Sequence, residues 1–488
     1  MMLRIARGQI GRAIVGVTLA IIAGVVLLGA ILLITDGLPA ALLAWSGAAT
    51  AAILLVPMLL RRRFEAGEPL TLALLAVLVG VTLKAPYVYL SSNDPVVRGI
   101  LLDLKPPDLL AGMTLILTGM AALSAGYLLR LPRWRLRGGL LASRTELRPL
   151  RFAVTSLLVM CAAGVAMYLF VSEFGLVLAG AGLDELSGKR FLDLEGSQFR
   201  AALGYHRWAI SLAAILFCVA YGWSLRQAGA RRLLCLAVAT LAGAVAVGFA
   251  VFSSSRGSFA MLVMAALLIT YYMRRGVSLA GATAVAAVTV VVLVGITVLR
   301  PARSDADWDR VDVAGEFAAI TVGGRHFLDL GKTTHVVRAV PERIPLQYGR
   351  TLVTWAIAPV PRFLWPAKPA VGVGPLLGQQ VYGTGLRGGV PPGFVAELYL
   401  NFHVAGVVLG MFALGIALRF LYESCRTELL AGNPNVVALY AMVAQTASIH
   451  LLTTDFSKFV VELLTQALPL LLIVALIAAR SRDARTAP

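Results

Sequence analysis

The sequence predicts an all-α polytopic membrane protein, and two observations carry that prediction. Of its 488 residues, 59% are hydrophobic and only 14% charged, with a mean hydropathy of +0.84. Soluble domains run at about 45–50% apolar and about 25% charged. A water-soluble fold would have to expose a large surplus of apolar side chains, and a bilayer removes that problem. The second observation is spacing. Apolar stretches of about 20 residues, each enough to cross the hydrocarbon core, recur along the chain between mostly short connections. Together these exclude a cytosolic enzyme, a secreted disulfide scaffold and a disordered chain.

About twelve spans are expected, at 13–35, 40–60, 70–90, 108–129, 152–171, 208–225, 233–252, 259–273, 278–299, 404–422, 436–453 and 459–479. The first follows Arg4, Arg7 and Arg12. It is long for a signal-peptide core and no A-x-A cleavage site follows it directly, so it reads as a retained helix. The eighth is short and its helix could start a few residues earlier. The organisation is then nine helices over 1–299, a long loop over 300–403, and three helices with a tail over 404–488.

Charge placement gives the orientation. The formal charge is +18 and the pI about 10.3, which in a soluble protein would suggest nucleic acid. With the N-terminus inside, one set of connections holds 23 basic residues: Arg4, Arg7 and Arg12, Arg61 to Arg63, seven arginines between 130 and 151, Arg226, Arg231 and Arg232, Arg274 and Arg275, Arg419 and Arg426, and Arg480, Arg482 and Arg485. Their acids are only Glu65, Glu68, Glu146, Glu423, Glu428 and Asp483, so almost all the excess charge lies on one face. The positive-inside rule makes that face cytoplasmic, with both termini inside. The high pI is therefore a topology signal, and no nucleic-acid partner is expected. Cys161, Cys218, Cys235 and Cys425 all fall in or at the ends of spans, where small buried apolar residues are expected and no disulfide or zinc site is.

Two outward connections are long, at 172–207 and 300–403, and long connections are usually functional or disordered. The second contains WAIAPVPRFLWPAKP, with Pro359, Pro361, Pro366 and Pro369 among aromatics. That composition predicts a broken helix dipping into the interface, because irregular backbone at membrane depth must line a cavity. The glycine-rich stretch 371–393 that follows is expected to be a mobile flap.

Candidate site residues cluster on this outward side. Arg256 sits in FSSSRGSFA between two apolar helices. A guanidinium there requires an anion, a cavity or the interface to compensate it, and serines with Gly257 at a helix start suit an anion; a snorkelling arginine is the plainer reading. Arg362 and Lys368 flank the proline-tryptophan segment and suit a lipid head group. Arg325 with His326, and Arg200 and Arg207 from the shorter loop, are further substrate-binding candidates among residues that could equally be solvated charges. Glu397, in PPGFVAELYLNFHVAG, could be a general base if buried, or a first-turn acid stabilising its helix. His326 and His403 are rival bases. DADWDRVDVAGE places Asp305, Asp307, Asp309 and Glu316 near a calcium-loop spacing but with Arg310 where glycine is required, so an acidic solvated loop is the expectation and no metal is assigned. No GxxxxGK[ST], HExxH or suitably placed GxSxG occurs, and no cofactor is expected.

The SRG motif at an outward helix turn, the long late loop, PRFLWPAKP and PPGFVAELYLNFHVAGVVLGMF together resemble the Wzy-type O-antigen and exopolysaccharide repeat-unit polymerases of the GT-C glycosyltransferase superfamily. The topology carries the likeness over the whole chain; the sharper motifs lie within about 250–410. In that family the E-x-Y-x-N-F stretch usually runs on into glycine, where this chain has His403.

The resemblance implies a GT-C-like fold with a long periplasmic loop between the ninth and tenth helices, in the bacterial inner membrane. It implies a metal-independent glycosyltransferase of lipopolysaccharide or exopolysaccharide biosynthesis. The donor would be a glycan on undecaprenyl diphosphate, the acceptor a lipid-linked repeat unit, and a chain-length regulator a possible partner alongside membrane lipid. Arginines must then stabilise the diphosphate leaving group, two unit charges about 4 Å apart interacting by roughly 4 kcal/mol at an effective dielectric near 20. The implied roles are Arg256 and Arg362 as the clamp, Lys368 and Arg325 assisting, Arg200, Arg207 and Tyr399 as further contacts to diphosphate or glycan, and Glu397 or His326 as base. The rival readings are an O-antigen ligase acting on lipid A core and a lipid-linked oligosaccharide flippase or other transporter. About a hundred residues gathered in one outward segment disfavour the transporter, whose loops are typically short; a non-catalytic scaffold is the remaining reading.

Overall fold

The computed structural model describes residues 4–62, 64–92, 104–129, 145–173, 197–252, 255–274, 276–278, 283, 285, 287–293, 322, 329–360, 364–381 and 390–480. Among them are eleven helices long and apolar enough to cross a membrane. In chain order the helices are α1 (Arg7–Thr35), α2 (Leu38–Arg61), α3 (Pro69–Leu90), α4 (Leu109–Leu128), α5 (Pro149–Glu173), α6 (Ser197–Ser224), α7 (Gly229–Phe252), α8 (Arg256–Met273), the short α9 (Leu330–Ala339), α10 (Phe394–Leu430), α11 (Pro434–Thr453) and α12 (Phe456–Ile477). The chain is an all-α multi-pass membrane protein. Of the expected ninth span, residues 287–293 are helical and most of the rest lies outside the described residues.

Leucine, valine and alanine build these helices without a polar stripe because both the bundle interior and lipid accept them. Leu27, Ile34, Leu157, Leu158, Val165 and Leu472 stand exposed on the outer helices α1, α5 and α12. In water such patches would aggregate; against acyl chains they are the required surface. α3 and α11 are mostly buried and form the centre.

Small residues set the closest packing. A methyl added at Gly126 of α4 would meet the Phe412 carbonyl oxygen at 2.0 Å, and one at Gly415 of α10 would meet the Leu123 oxygen at 2.1 Å. The α4 and α10 backbones therefore touch, as small residues permit between membrane helices.

Connections assigned to one face by their arginines do meet in space. Arg4–Ala6 pairs antiparallel with Gly276–Ser278, and Thr145–Leu147 with Ala478–Arg480. At this arginine-rich end Arg61 bonds Glu68 at 3.2 Å and Glu423 at 3.4 Å, Arg419 meets Glu423 at 2.8 Å, and Arg426 meets Glu65 at 3.2 Å. Tyr127 donates to Glu68 at 3.1 Å and Tyr422 donates to Glu65. Burial nonetheless raises the Glu68 carboxyl above the ordinary carboxylate range, outweighing the attraction of Arg61.

The opposite end, here the loop end, holds the long late connection. Asp329 caps α9, accepting from Lys332 N at 3.2 Å, and Lys84 of α3 reaches it at 3.1 Å. All three side chains are buried. Burial alone would raise the Asp329 carboxyl, but Lys84 and Lys332 together hold it below the usual range. Lys332 Nζ also donates to the Pro391 carbonyl at 2.9 Å, tying α9 to the start of α10.

α10 is two helices joined by a reversal. Phe402 (φ −141°, ψ 20°) and His403 (φ 56°, ψ −153°) leave the helical region. The segment 394–401 doubles back along 406–410: a methyl at Gly406 would lie 2.7 Å from the Leu398 oxygen, and one at Gly410 2.5 Å from the Leu398 side chain. Twelve residues of straight helix would separate Leu398 and Gly410 by about 18 Å, so only a fold-back brings them together. The broken helix predicted for 355–369 lies here instead. The earlier segment is a 3₁₀ turn, Arg350–Ile357, followed by irregular chain, because Pro359, Pro366 and Pro369 cannot donate the amides an α-helix needs.

Candidate functional site: two polar neighbourhoods beside one turn

Helices α11 and α12 are joined by a tight turn at residues 454–455, and a polar group of side chains lies on each side of it. The first surrounds Glu397. Its Oε1 accepts from Thr351 Oγ1 at 2.8 Å and its Oε2 from Phe456 N, the first amide of α12, at 2.6 Å. Asn401, one turn on, donates to Thr351 Oγ1 at 2.7 Å and to the Glu397 carbonyl at 2.8 Å, and accepts from Gly349 N at 2.8 Å. Ser457 Oγ closes the ring by donating to the Thr351 carbonyl at 2.6 Å. Asp455 caps α12, accepting from Lys458 N at 2.9 Å; Lys458 Nζ pairs with its Oδ2 at 3.1 Å without hydrogen-bond geometry. Gly372 (φ 88°) lies against Asp455, where a methyl would come within 2.4 Å of the carboxylate. Glu397, Asn401, Asp455 and Ser457 are wholly buried. The spacing of Glu397 and Asn401, four residues apart on one helix face, aims both at the same turn.

The second neighbourhood is a cavity of about 340 Å³ between α6, α8, α11 and α12. Its walls include Ser211 and Cys218, Ser255, Gly257 and Ser258 at the start of α8, Gln445 and His450 of α11, and Glu462, Thr465 and Gln466 of α12. Ser255 caps α8, accepting from Ser258 N at 3.4 Å, with the two hydroxyls 2.8 Å apart. His450 Nε2 lies 2.5 Å from Glu462 Oε2. Gln466 donates to Glu462 Oε1 at 3.1 Å and accepts from Thr446 at 2.9 Å. His450 ends a π-helical turn, Thr446–His450, inside α11. Such a turn inserts one extra residue and rotates the side chains beyond it, a device frequent at functional sites.

The structure distributes the predicted residues unevenly. Glu397 is sealed, with both carboxylate oxygens holding donors, so its observed contacts are those of an organiser of the loop and not of a base open to substrate. Tyr399 is buried with its hydroxyl 2.8 Å from His403 Nε2, which makes both part of the α10 reversal. Lys368 donates to the Ala358 and Val360 carbonyls at 2.9 and 2.8 Å, stapling its own loop where a lipid contact was expected. Arg256 begins α8, half-buried and engaged within the protein; its neighbours Ser255, Gly257 and Ser258, but not Arg256, line the cavity. Arg207 is exposed on α6, and Arg200 is in the same helix with its side chain outside the described residues. Arg325, His326, Arg362, Asp305, Asp307 and Asp309 lie outside the described residues, as does the 382–389 part of the glycine-rich stretch, whose Gly374–Gln380 is a short helix. Among the described residues no group of three side chains is placed to hold a metal.

Sequence reasoning missed Gln445, His450, Glu462 and Gln466. The signal was present: an imidazole and a carboxylate inside apolar spans are costly unless they serve a site or a partner.

Fold and cavity thus define a multi-pass membrane protein with a polar chamber inside its helix bundle. No protein-family model, curated protein or solved structure matches the chain.

Proposed function

We propose that the chain is a GT-C-like glycosyltransferase that polymerises undecaprenyl-diphosphate-linked oligosaccharide repeat units at the periplasmic face of the bacterial inner membrane. Both termini are then cytoplasmic and the loop end faces the periplasm, in keeping with the arginine excess on the other face. The cavity beside the SRG motif carries the reading. It lies within spanning helices, as a lipid-borne substrate requires, and is lined by hydroxyl, amide, imidazole and carboxylate groups of the kind that bind sugars and phosphates. The N-terminus of α8 turns its positive dipole end and the Ser255 and Ser258 hydroxyls to that space, a suitable seat for a diphosphate. Arg256 in the first turn adds positive charge, and Arg325 and Arg362 are the further cations from the late loop. The lock around Glu397 holds that loop against α12.

The test is the glycan made by cells lacking the chain. Loss should leave single repeat units capped on their acceptor and no long chains, restored by the wild-type sequence and not by Arg256→Ala. Full-length chains retained on the carrier lipid would instead identify a ligase, and an accumulation of lipid-linked units on the cytoplasmic face a flippase.

A further inference from the structure

His450 and Glu462 have no role in the resemblance that suggested a polymerase, yet their geometry is that of a base with its orienting group. Glu462 is an acceptor at 2.5 Å from Nε2, so Nε2 carries a proton and, in the neutral imidazole, the lone pair is on Nδ1. Nδ1 makes no hydrogen bond among the described residues, while the ring lines the cavity. Glu462 is itself fixed by Gln466, and Gln466 by Thr446, so the carboxylate cannot swing away without breaking a chain of hydrogen bonds. A third group points to a ligand. Gln445 is 4% exposed and lines the same cavity, and its Oε1 is buried without a hydrogen-bond partner. A buried amide oxygen left unmatched loses its water for nothing in return unless a donor arrives with a ligand. A sugar hydroxyl is such a donor. The α8 N-terminus and His450 both line the cavity, so groups suited to a phosphate and to a proton share one chamber.

We infer that His450 is the catalytic base of this chamber, that Glu462 is its positioning residue, and that Gln445 receives a hydroxyl of the bound glycan. This rests on the polymerase reading. The acceptor sugar's hydroxyl oxygen bonds to the donor's anomeric carbon as the bond from that carbon to the diphosphate oxygen breaks. The hydroxyl proton passes to His450 Nδ1, undecaprenyl diphosphate leaves with the electron pair, and Glu462 stabilises the imidazolium. Glu462→Gln is informative because its amide, with its oxygen held by Gln466, turns an N–H toward Nε2. That reverses the tautomer and removes the lone pair from Nδ1.

The experiment uses the full chain in lipid nanodiscs with the lipid-linked oligosaccharide that accumulates in a deletion strain, and reads the product ladder together with binding of undecaprenyl diphosphate. His450→Gln is expected to lower the turnover number about 10²- to 10⁴-fold, the usual weight of a general base. KM and carrier binding should stay near wild type, which also shows that the variant is folded. Glu462→Gln should lower turnover at least about tenfold with the same unchanged KM, and Glu462→Asp should recover part of it. A ladder from His450→Gln as fast and as long as wild type overturns the inference and leaves the polymerase reading standing. Wild-type protein that binds the carrier but forms no ladder overturns the reading and the inference together.

Discussion

The two polar neighbourhoods beside the α11–α12 turn differ in what they leave over. Around Glu397 both carboxylate oxygens, the Asn401 amide and the Ser457 hydroxyl are all engaged, Asp455 Oδ2 has the Lys458 ammonium beside it, and the Glu397, Asn401 and Ser457 side chains are sealed from solvent. Around His450 an acceptor facing the cavity is left over. Gln445 Oε1 is buried without a partner, and Gln445 lines a chamber of about 340 Å³. Buried polar groups that are fully satisfied rigidify a structure, whereas unsatisfied ones persist where a ligand completes them. On the proposed function the first neighbourhood is architecture and the second a site, and substitutions should separate the two by whether stability or function is lost.

The largest effect on stability is expected at Glu397. A buried donor left unpaired costs about 1–3 kcal/mol, so Glu397→Ala, which strands Thr351 Oγ1 and Phe456 N, should cost about 2–6 kcal/mol and release the 3₁₀ turn. Thermal unfolding in detergent, with hydrogen exchange over residues 349–357, measures both. Were Glu397 the base instead, Glu397→Gln would keep the melting temperature and lose turnover, which would erase the distinction drawn here.

Next is the α9 anchor. Asp329→Ala should cost about 3–5 kcal/mol, the usual penalty for stranding one member of a buried ion pair. Replacing Lys84 and Asp329 together with Met and Leu should cost much less. The pH dependence follows from the direction of each shift. Asp329, held low, contributes stability at neutral pH that is lost as pH falls below the ordinary carboxylate range. Glu68, pushed up by burial, contributes stability that is full below that range and is lost as pH rises through its raised value. Melting temperature against pH should therefore lose part of its acid fall in Asp329→Asn, and in Glu68→Gln part of the fall that comes as pH rises through the raised Glu68 value.

A smaller effect separates two glycines of the α10 fold-back. A methyl at Gly406 meets the Leu398 backbone oxygen, which cannot move aside, whereas one at Gly410 meets the end of a leucine side chain. Gly406→Ala should cost about 1–3 kcal/mol by overpacking and Gly410→Ala distinctly less, as compared by thermal unfolding. Gly410→Ala losing as much as Gly406→Ala would argue against the fold-back. The smallest stability effect belongs to Gln445→Leu, expected within about 1 kcal/mol of wild type or above it while polymer length falls. The same assay on cell-surface glycan reads both arms of the contrast.

Much of this was legible in the sequence, and the reasons are physical. Spans follow from apolar length, and the grouping of connections follows from arginine placement, which the pairing of Arg4–Ala6 with Gly276–Ser278 reproduces. The fold-back was not legible, because FVAELYLNFHVAGVVLG reads as one continuous apolar helix; only a left-handed His403 and the paired Gly406 and Gly410 mark the reversal. Glu397 is legible as a carboxylate at the mouth of a helix, but spacing along the chain does not tell whether it is buried or whether its partners are a substrate or the amide of a helix 59 residues on. His450 and Glu462 were hidden by the opposite error: inside apolar spans they were absorbed into the hydrophobic count, and their meeting depends on a π-turn that periodicity does not reveal.

The central claim is that the chamber between α6, α8, α11 and α12 receives the diphosphate of a polyprenyl carrier. A cryo-EM map of the full chain in nanodiscs saturated with undecaprenyl diphosphate tests it most directly. The account predicts diphosphate density within hydrogen-bond reach of Ser255 and Ser258, with the first isoprene units leaving toward lipid and His450 across the same space. Density among the arginines of the opposite end, or a chamber that stays empty while the carrier binds elsewhere, would contradict it.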